Sequence, residues 1–418
     1  MGARVMILAG GTGGHVYPAL AVAEELRTQD HTVTWMGTRA GLEARVVPEA
    51  GIAMEWLAVA GVRGKGWASR WKAPFMLVRA CFQAWRILRR VRPAVVLGMG
   101  GFVSGPGGLM AKLMGIPLVL HEQNRVPGTT NRWLARWASV VLEAFPGSFP
   151  VIVGARCTGN PLRREIAVLW EQTSVRELAG KTDSESRGLV TVQTPPPSGG
   201  RLGGGRDGKL RQYQDSPSPQ PPPAGSGSER LRRLKSDPTE ALHILVLGGS
   251  QGARALNETV PLALAKVQAP IRVLHQTGEA MRAATEEAYR QAGVEARVEA
   301  FVRDMAEIYR WADLAVCRAG AMTVSELAAA GVPAILVPYP FAIDDHQTAN
   351  ARFLAEAGAA ILLPQQEMDA DSLATRLSDL ANDPARLRQF AERCRSLARP
   401  EAARRVAEIC LTEAGRCC

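Results

Sequence analysis

Cysteine and histidine are scarce in this chain of 418 residues, at 7 and 6. The cysteines, Cys81, Cys157, Cys317, Cys394, Cys410, Cys417 and Cys418, form no CxxC pair and have no histidine at zinc-ligand spacing. That excludes a zinc ribbon, and their odd number argues against a secreted disulfide framework. A reduced, cytosolic chain without a structural metal is expected. Long apolar runs are also missing: nothing approaches the roughly 18 residues of a spanning helix, so any membrane contact should be peripheral. The N-terminus lacks a basic segment followed by an apolar run and a cleavage site, because Val5–Ala9 leads straight into glycines. Met6 does not suit myristoylation, and the final Gly-Arg-Cys-Cys is not a prenylation box.

What is present describes a globular protein. Hydrophobic residues make up 46% and charged residues 22% of the chain, so disorder cannot describe all of it. At roughly 100–200 residues per domain the length implies two domains, with a third conceivable. The formal charge of +10 implies an anionic partner, whether nucleic acid, an acidic membrane surface or a phosphorylated substrate. Its distribution is uneven. Residues 1–169 hold 20 Lys+Arg and 9 Asp+Glu, leaving 30 and 31 for residues 170–418, so the whole excess lies in the N-terminal part.

Short β-rich runs alternate with helical patterns, which predicts an α/β chain with parallel sheets. Strands are expected at Val5–Leu8, Thr32–Met36, Val95–Leu97, Pro117–Leu120 and Val140–Leu142, with helices at Ala19–Gln29 and Phe75–Val91. The theme recurs in strands at His243–Leu247, Arg272–His275, Leu314–Cys317 and Ala334–Val337 and helices at Met281–Gln291, Thr323–Ala330 and Gln347–Glu356. Two Rossmann-like, doubly wound domains follow, with bounds of 1–169 and 241–418 and a connection over 170–240. Within that connection Pro/Gly/Ser-rich sequence over 184–230 is expected to be a disordered tether.

Glycines punctuate three strand ends. Gly10-Gly11-Thr12-Gly13-Gly14-His15 follows the first strand, Gly98-Met99-Gly100-Gly101-Phe102-Val103-Ser104-Gly105-Pro106 a later one, and Gly248-Gly249-Ser250-Gln251-Gly252-Ala253-Arg254 opens the second half. Glycines at a strand-to-helix turn let the backbone approach a ligand, and the helix N-terminus offers free N–H groups to an anion. The first and last of these loops are neither a Walker A sequence nor the strict GxGxxG. Two of them, each opening one half, favour a phosphorylated ligand in a cleft between domains. His121-Glu122-Gln123-Asn124 sits at another strand end, where His121 could equally be a structural histidine.

These segments, with Gly159-Asn160-Pro161-Leu162-Arg163, Cys317–Pro333 and Asp344–Asn350, resemble in order the bacterial MurG family of peptidoglycan synthesis, UDP-N-acetylglucosamine transferases of GT-B fold. The resemblance spans almost the whole chain outside the insertion. It implies two Rossmann-like domains facing a central cleft, and transfer of GlcNAc from UDP-GlcNAc to the MurNAc 4-hydroxyl of undecaprenyl-linked lipid I, giving lipid II. It also implies a peripheral location on the cytoplasmic face of the inner membrane, other cell-wall synthesis proteins as further partners, and no cofactor, metal or nucleic acid.

Carried over residue by residue, the resemblance makes His15 the candidate base, with His121 second. Thr12, Gly13, Gly14, Asn124, Arg163, Ser250, Val302, Ala321, Met322, Thr323, Val324, Ser325, Glu326, Gln347 and Asn350 would meet UDP-GlcNAc. Among them, the amides near Met322 and Thr323 cap the diphosphate, Glu326 takes the ribose hydroxyls, and Gln347 with Asn350 reads the sugar from one helix face. Gly13, Gly14, Gly100, Gly101, Phe102 and Ser104 would form the acceptor pyrophosphate loops. Phe102 stands where the family commonly has an aromatic hydroxyl. The last helix is expected to pack back on the N-terminal domain.

Residues 61–92 carry nine basic residues and no acidic one, interleaved with aromatics. Trp67, Trp71, Lys72, Phe75, Arg79, Trp85, Arg86 and Arg89 make up the candidate membrane patch, suited to anionic lipid. An ordinary amphipathic helix with solvated cations is the alternative. Rival functions are another GT-B transferase, a UDP-sugar epimerase, and a scaffold that binds UDP-GlcNAc without turnover.

Overall fold

The structure is a computed structural model that describes residues 2–58, 67–171, 241–248 and 253–416, the side chains of 67–74 and of Ile343 excepted. The expected tether at 184–230, Ser250, Cys417 and Cys418, and the side chains of Trp67, Trp71 and Lys72 lie outside what is described.

Strands β1 (Arg4–Ala9), β2 (Thr32–Gly37), β3 (Ala53–Trp56), β4 (Val95–Gly100), β5 (Leu118–Glu122), β6 (Val140–Glu143) and β7 (Arg156–Cys157) form one parallel sheet, ordered β3-β2-β1-β4-β5-β6-β7. A second parallel sheet contains β8 (Leu242–Leu247), β9 (Ile271–Gln276), β10 (Ala296–Glu299), β11 (Leu314–Cys317), β12 (Ala334–Leu336) and β13 (Ala360–Leu362), ordered β10-β9-β8-β11-β12-β13. The α/β class with two Rossmann-like sheets is what the chain adopts.

Parallel sheets are covered on both faces, so their central strands must be apolar throughout. All six residues of β4 are buried. Along β1, Val5, Ile7 and Ala9 enter one core and Met6 and Leu8 the opposite one. The first core is closed by helix Gly13–Thr28 through Val16, Ala19 and Val22, the second by helix Trp67–Val91 through Ala84, Ile87 and Leu88. Strand order reverses beside β1 and again beside β8, and open α/β sheets bind ligands at the carboxyl ends of such points.

Two segments exchange sides. The helix over 164–171 belongs by sequence to the first half, yet Leu162, Ile166 and Leu169 pack in a core of the second sheet with Leu245, Tyr309 and Leu327. The last helix, Ala402–Gly415, packs through Val406, Ala407, Cys410 and Ala414 in the core of the first sheet. The two crossings touch. Gly159 has φ +85°, and a Cβ there would lie 2.3 Å from the Cβ of Arg399, so glycine is required where the outgoing chain meets the returning one.

Candidate active site

The first helix begins at Gly13, six residues before the expected Ala19, with Pro18 inside it. Glycine is a poor helix former and proline a natural helix starter, but here tertiary position overrides both. The shift matters because it places His15 in the first turn. Thr12 is the N-cap residue in extended conformation and makes no side-chain cap, so the opening amides face the cleft uncapped by it. Helix Ala321–Ala330 likewise starts after Gly320 without a side-chain cap, and the two helices approach one another. Two positive helix ends thus converge between the sheets, a setting suited to an anion.

His15 lies against the glycine turn that ends β4. Gly100 has φ +103°, and a Cβ on it would sit 2.8 Å from two atoms of the His15 ring. The ring Nδ1 of His15 lies 2.8 Å from Oε1 of Gln123. Gln123 Nε2 reaches Nδ1 of His121 at 3.1 Å, and His121 Nε2 reaches the carbonyl of Gly159 at 2.9 Å. The two candidate histidines are thereby separated. His121 is fully buried with both ring nitrogens engaged, and burial lowers its pKa to about 4, so it stays neutral and has no route to a sugar hydroxyl. His15 is partly exposed.

The Gly98–Pro106 segment is not loop throughout, since helix Ser104–Leu113 starts within it. Ser104 is buried; its hydroxyl donates to the carbonyls of Leu8 and Gly100 and accepts from the Gly100 amide, so it fastens the turn instead of reaching the cleft. Phe102 is 52% exposed beside it. Glu43 anchors the neighbouring loop, its buried carboxylate accepting from the Gly11 amide and from the amide and hydroxyl of Thr38.

In the second half Glu326 lies one turn into its helix and is 8% exposed. Arg163 Nη2 donates to its Oε1 at 3.2 Å and the Tyr309 hydroxyl to its Oε2 at 3.0 Å. Burial pushes its carboxyl above the usual range, against the opposing pull of those two donors. Each oxygen keeps a further lone pair for a ligand hydroxyl. Arg163 also lies over the Tyr17 ring at 5.7 Å, so it joins the first helix to Glu326. Ala321 and Val324 are buried, whereas Met322, Thr323 and Ser325 are partly exposed along the same turn.

Asn350 is fully buried, and its amide is occupied within the protein. It accepts from the Arg125 amide at 2.9 Å and donates to Asn124 Oδ1 and the Ala319 carbonyl, both at 3.2 Å. Gln347, one turn earlier, accepts from the Tyr339 amide. Asn124 and Asn350 therefore meet across the halves, and ion pairs Arg125–Glu356 and Arg132–Asp344 flank them. Val302 is partly buried against the core of the second sheet that holds Leu245 and Tyr309, with Phe301 exposed next to it. Asn160, from the crossing segment, donates to the Gln123 carbonyl and to the Ser325 hydroxyl. Sequence reasoning missed Gln123, Tyr309, Asn160 and Glu43 as parts of this site. The first and third lie inside motifs already singled out, while nothing local marks the other two.

On the far face of the first half, helix Trp67–Val91 presents Phe75, Val78 and Phe82 at 75%, 68% and 56% exposure, with Arg79, Arg86 and Arg89 exposed among them. Trp85 is partly buried, stacked on Phe82 and covered by Arg89. No described helix is long and apolar enough to cross a membrane, and no described cluster of His, Cys, Asp or Glu could hold a metal ion.

Residues 5–143 match the glycosyltransferase family 28 N-terminal domain and residues 243–406 the family's C-terminal domain. A UDP-N-acetylglucosamine–N-acetylmuramyl-(pentapeptide) pyrophosphoryl-undecaprenol N-acetylglucosamine transferase from Methylococcus capsulatus is 53% identical over 416 residues, 99% of this chain and 100% of the relative. The protein of that name from Nitrosococcus oceani is 48% identical over 413 residues, 98% of this chain and 99% of the relative. The crystal structure of Acinetobacter baumannii MurG aligns with a TM-score of 0.72 at 35% identity, over 98% of this chain and 99% of that one. A UDP-GlcNAc 2-epimerase from Neisseria meningitidis aligns with a TM-score of 0.60 at 12% identity, over 98% of this chain and 100% of that one, a likeness of fold alone. With identity of this level running from end to end, the chain belongs to the MurG family of UDP-N-acetylglucosamine–N-acetylmuramyl-(pentapeptide) pyrophosphoryl-undecaprenol N-acetylglucosamine transferases.

Proposed function

We propose that this protein transfers GlcNAc from UDP-GlcNAc to the 4-hydroxyl of the muramoyl sugar of undecaprenyl-pyrophosphoryl-MurNAc-pentapeptide, making lipid II for peptidoglycan, on an anionic membrane surface. The observation that carries the reading is the pair of helix N-termini converging on one cleft, with His15 on one and Glu326 on the other.

The donor's diphosphate sits at the amides of Ala321, Met322 and Thr323, with the Ser250 hydroxyl as a further donor, and Glu326 takes ribose hydroxyls on its remaining lone pairs. Gln347 and Asn350 read the sugar, Asn350 exchanging its bonds to Asn124 and Ala319 for sugar hydroxyls. His15 accepts the proton of the acceptor hydroxyl as that oxygen attacks the anomeric carbon. The bond from that carbon to the diphosphate breaks on the opposite side, and the helix dipole stabilises the charge that leaves with UDP. Gly13, Gly14, Gly100 and Gly101 offer backbone to the acceptor's pyrophosphate, whose lipid lies toward the Phe75, Val78 and Phe82 face.

The test is radiolabelled UDP-GlcNAc with a lipid I analogue. A labelled disaccharide-lipid is expected; release of free sugar, epimerised nucleotide sugar or no product would overturn the proposal.

A further inference from the structure

We infer that Gln123 is a positioning residue that fixes the tautomer of His15, holding the proton on Nδ1 and leaving Nε2 with a free lone pair toward the cleft. The inference rests on His15 being the base proposed above, and adds what makes it one.

The assignment starts from a group with no choice. The Gly159 carbonyl can only accept, so the His121 Nε2 that lies 2.9 Å from it must donate. His121 is neutral because it is buried, so its Nδ1 carries no hydrogen and must accept. The group that reaches Nδ1 is the Gln123 amide, at 3.1 Å, and the same amide nitrogen lies 3.1 Å from the His121 carbonyl. Two acceptors on one side fix the NH2 end there and turn Oε1 away from them. Oε1 then faces His15 Nδ1 at 2.8 Å and can only accept, so the hydrogen resides on Nδ1. The opposite amide orientation would set Oε1 against both acceptors of His121. Among the described residues none hydrogen-bonds His15 Nε2. The backbone of Gln123 is held as well, its carbonyl accepting from Asn160 Nδ2 at 3.1 Å. The His15 ring also packs close to Gly100, where a Cβ would lie 2.8 Å from two ring atoms.

The chemical consequence follows from the two ring nitrogens being distinct. With Nδ1 protonated, Nε2 takes the proton of the acceptor hydroxyl while the oxygen's electron pair forms the new glycosidic bond. The pair of the breaking bond leaves on the diphosphate. The imidazolium so formed points its Nδ1–H at Oε1 of Gln123, and it later returns the Nε2 proton to water. In the other tautomer the hydrogen on Nε2 would block this transfer until the ring exchanged protons with solvent. A positioned partner that sets the histidine tautomer is worth orders of magnitude in rate in serine proteases.

The experiment is long-range proton–nitrogen correlation NMR of the full chain labelled with 15N-histidine, at mildly alkaline pH, with the His15 signals identified by their loss in His15→Ala. The Nδ1–H pattern is expected in the wild type, and the Nε2–H pattern in Gln123→Met, which matches the side chain in size but makes no hydrogen bond. Turnover of Gln123→Met should fall roughly 10²-fold with the Michaelis constant for UDP-GlcNAc within about twofold. Gln123→Glu still accepts from His15 Nδ1 but sets its second oxygen against the two acceptors of His121, so it is read by its spectrum, in which the Nδ1–H pattern of His15 should persist. An Nε2–H pattern in the wild type overturns the inference, as does a Gln123→Met variant with wild-type turnover, or an Nε2–H pattern of His15 in Gln123→Glu. Should Gln123→Met fail to fold, judged by lost UDP binding, the wild-type spectrum alone decides. An active His15→Ala enzyme would instead overturn the base assignment while leaving the tautomer standing, so the two failures are distinguishable.

Discussion

Both halves connect their third and fourth strands with a helix, and they use that position in opposite ways. In the first half it is the 25-residue helix Trp67–Val91, in the second the 7-residue helix Met305–Trp311. The long one turns Phe75, Val78 and Phe82 to solvent among arginines. The short one, capped by the Asp304 side chain, buries Ala306, Ile308 and Tyr309 and delivers the Tyr309 hydroxyl to Glu326. One topological slot thus became an outward surface in one half and an inward support in the other. The two helix ends of the cleft differ in the same sense. His15 is partly exposed and tied at one ring nitrogen, as suits a group that exchanges a proton. Glu326 is buried and tied at both oxygens, as suits a fixed binding group.

The largest effect expected on that contrast is at His15. His15→Ala should lower turnover by about 10²–10⁴ in the lipid I assay with UDP affinity retained by calorimetry. Unchanged turnover would remove the proton-exchange role from the first half. Next, replacing Arg79, Arg86 and Arg89 together by Gln should weaken binding to anionic vesicles about 10²-fold at low salt, at roughly 1 kcal/mol per cation. Equal binding by the triple variant in sedimentation would return the long helix to an ordinary solvated face. Glu326→Ala should raise the Michaelis constant for UDP-GlcNAc about tenfold or more, and lower turnover less, because hydrogen bonds to a charged group contribute about 1.5–3 kcal/mol. Tyr309→Phe should do the same on a smaller scale, and if it changes nothing the short helix is scaffold only.

An effect on stability, not on turnover or binding, tests a likeness between the halves. Each holds a buried neutral histidine, His121 at the end of β5 with its pKa lowered to about 4 and His275 in β9 with its pKa lowered to about 3, both by burial. The unfolded chain takes up protons near pH 6.5 while these folded groups do not, so the stability they contribute is complete above that pH. It is lost as pH falls from about 6.5 toward 4, at about 1.4 kcal/mol per pH unit for each histidine. Urea midpoints measured across that range should decline accordingly, and His275→Gln should remove about half of the slope. A flat profile would mean that neither histidine stays uncharged.

The central strands were legible because a strand buried on both faces must be an apolar run, as Val5–Ala9 and Leu314–Cys317 are. The edge strands Ala53–Trp56, Ala296–Glu299 and Ala360–Leu362 were not, since a short, half-covered strand needs no such run. The start of the first helix was misjudged at Pro18 because local propensity speaks before packing does. Motifs located His15, Glu326 and Asn350 by position, but not what they touch. That Ser104 spends its hydroxyl on its own turn, and that Gln123 stands between two histidines, depends on β1, β4 and β5 lying side by side.

The exchange of terminal segments bears on the long connection that the sequence places between the halves, over 170–240. Residue 171 lies in a helix seated on the second sheet, and Leu242 begins that sheet's own first strand. Both attachment points of the connection therefore belong to one body, and they do not separate when the halves move. Among the described residues the chain crosses between the halves at Gly159 and Arg399, and these crossings touch. Two ties side by side act as a pivot. Cutting out 184–230 should accordingly leave both turnover and the Michaelis constants within about twofold in the lipid I assay, whereas widening the pivot with Gly159→Ala should disturb both, because the new methyl group must displace Arg399.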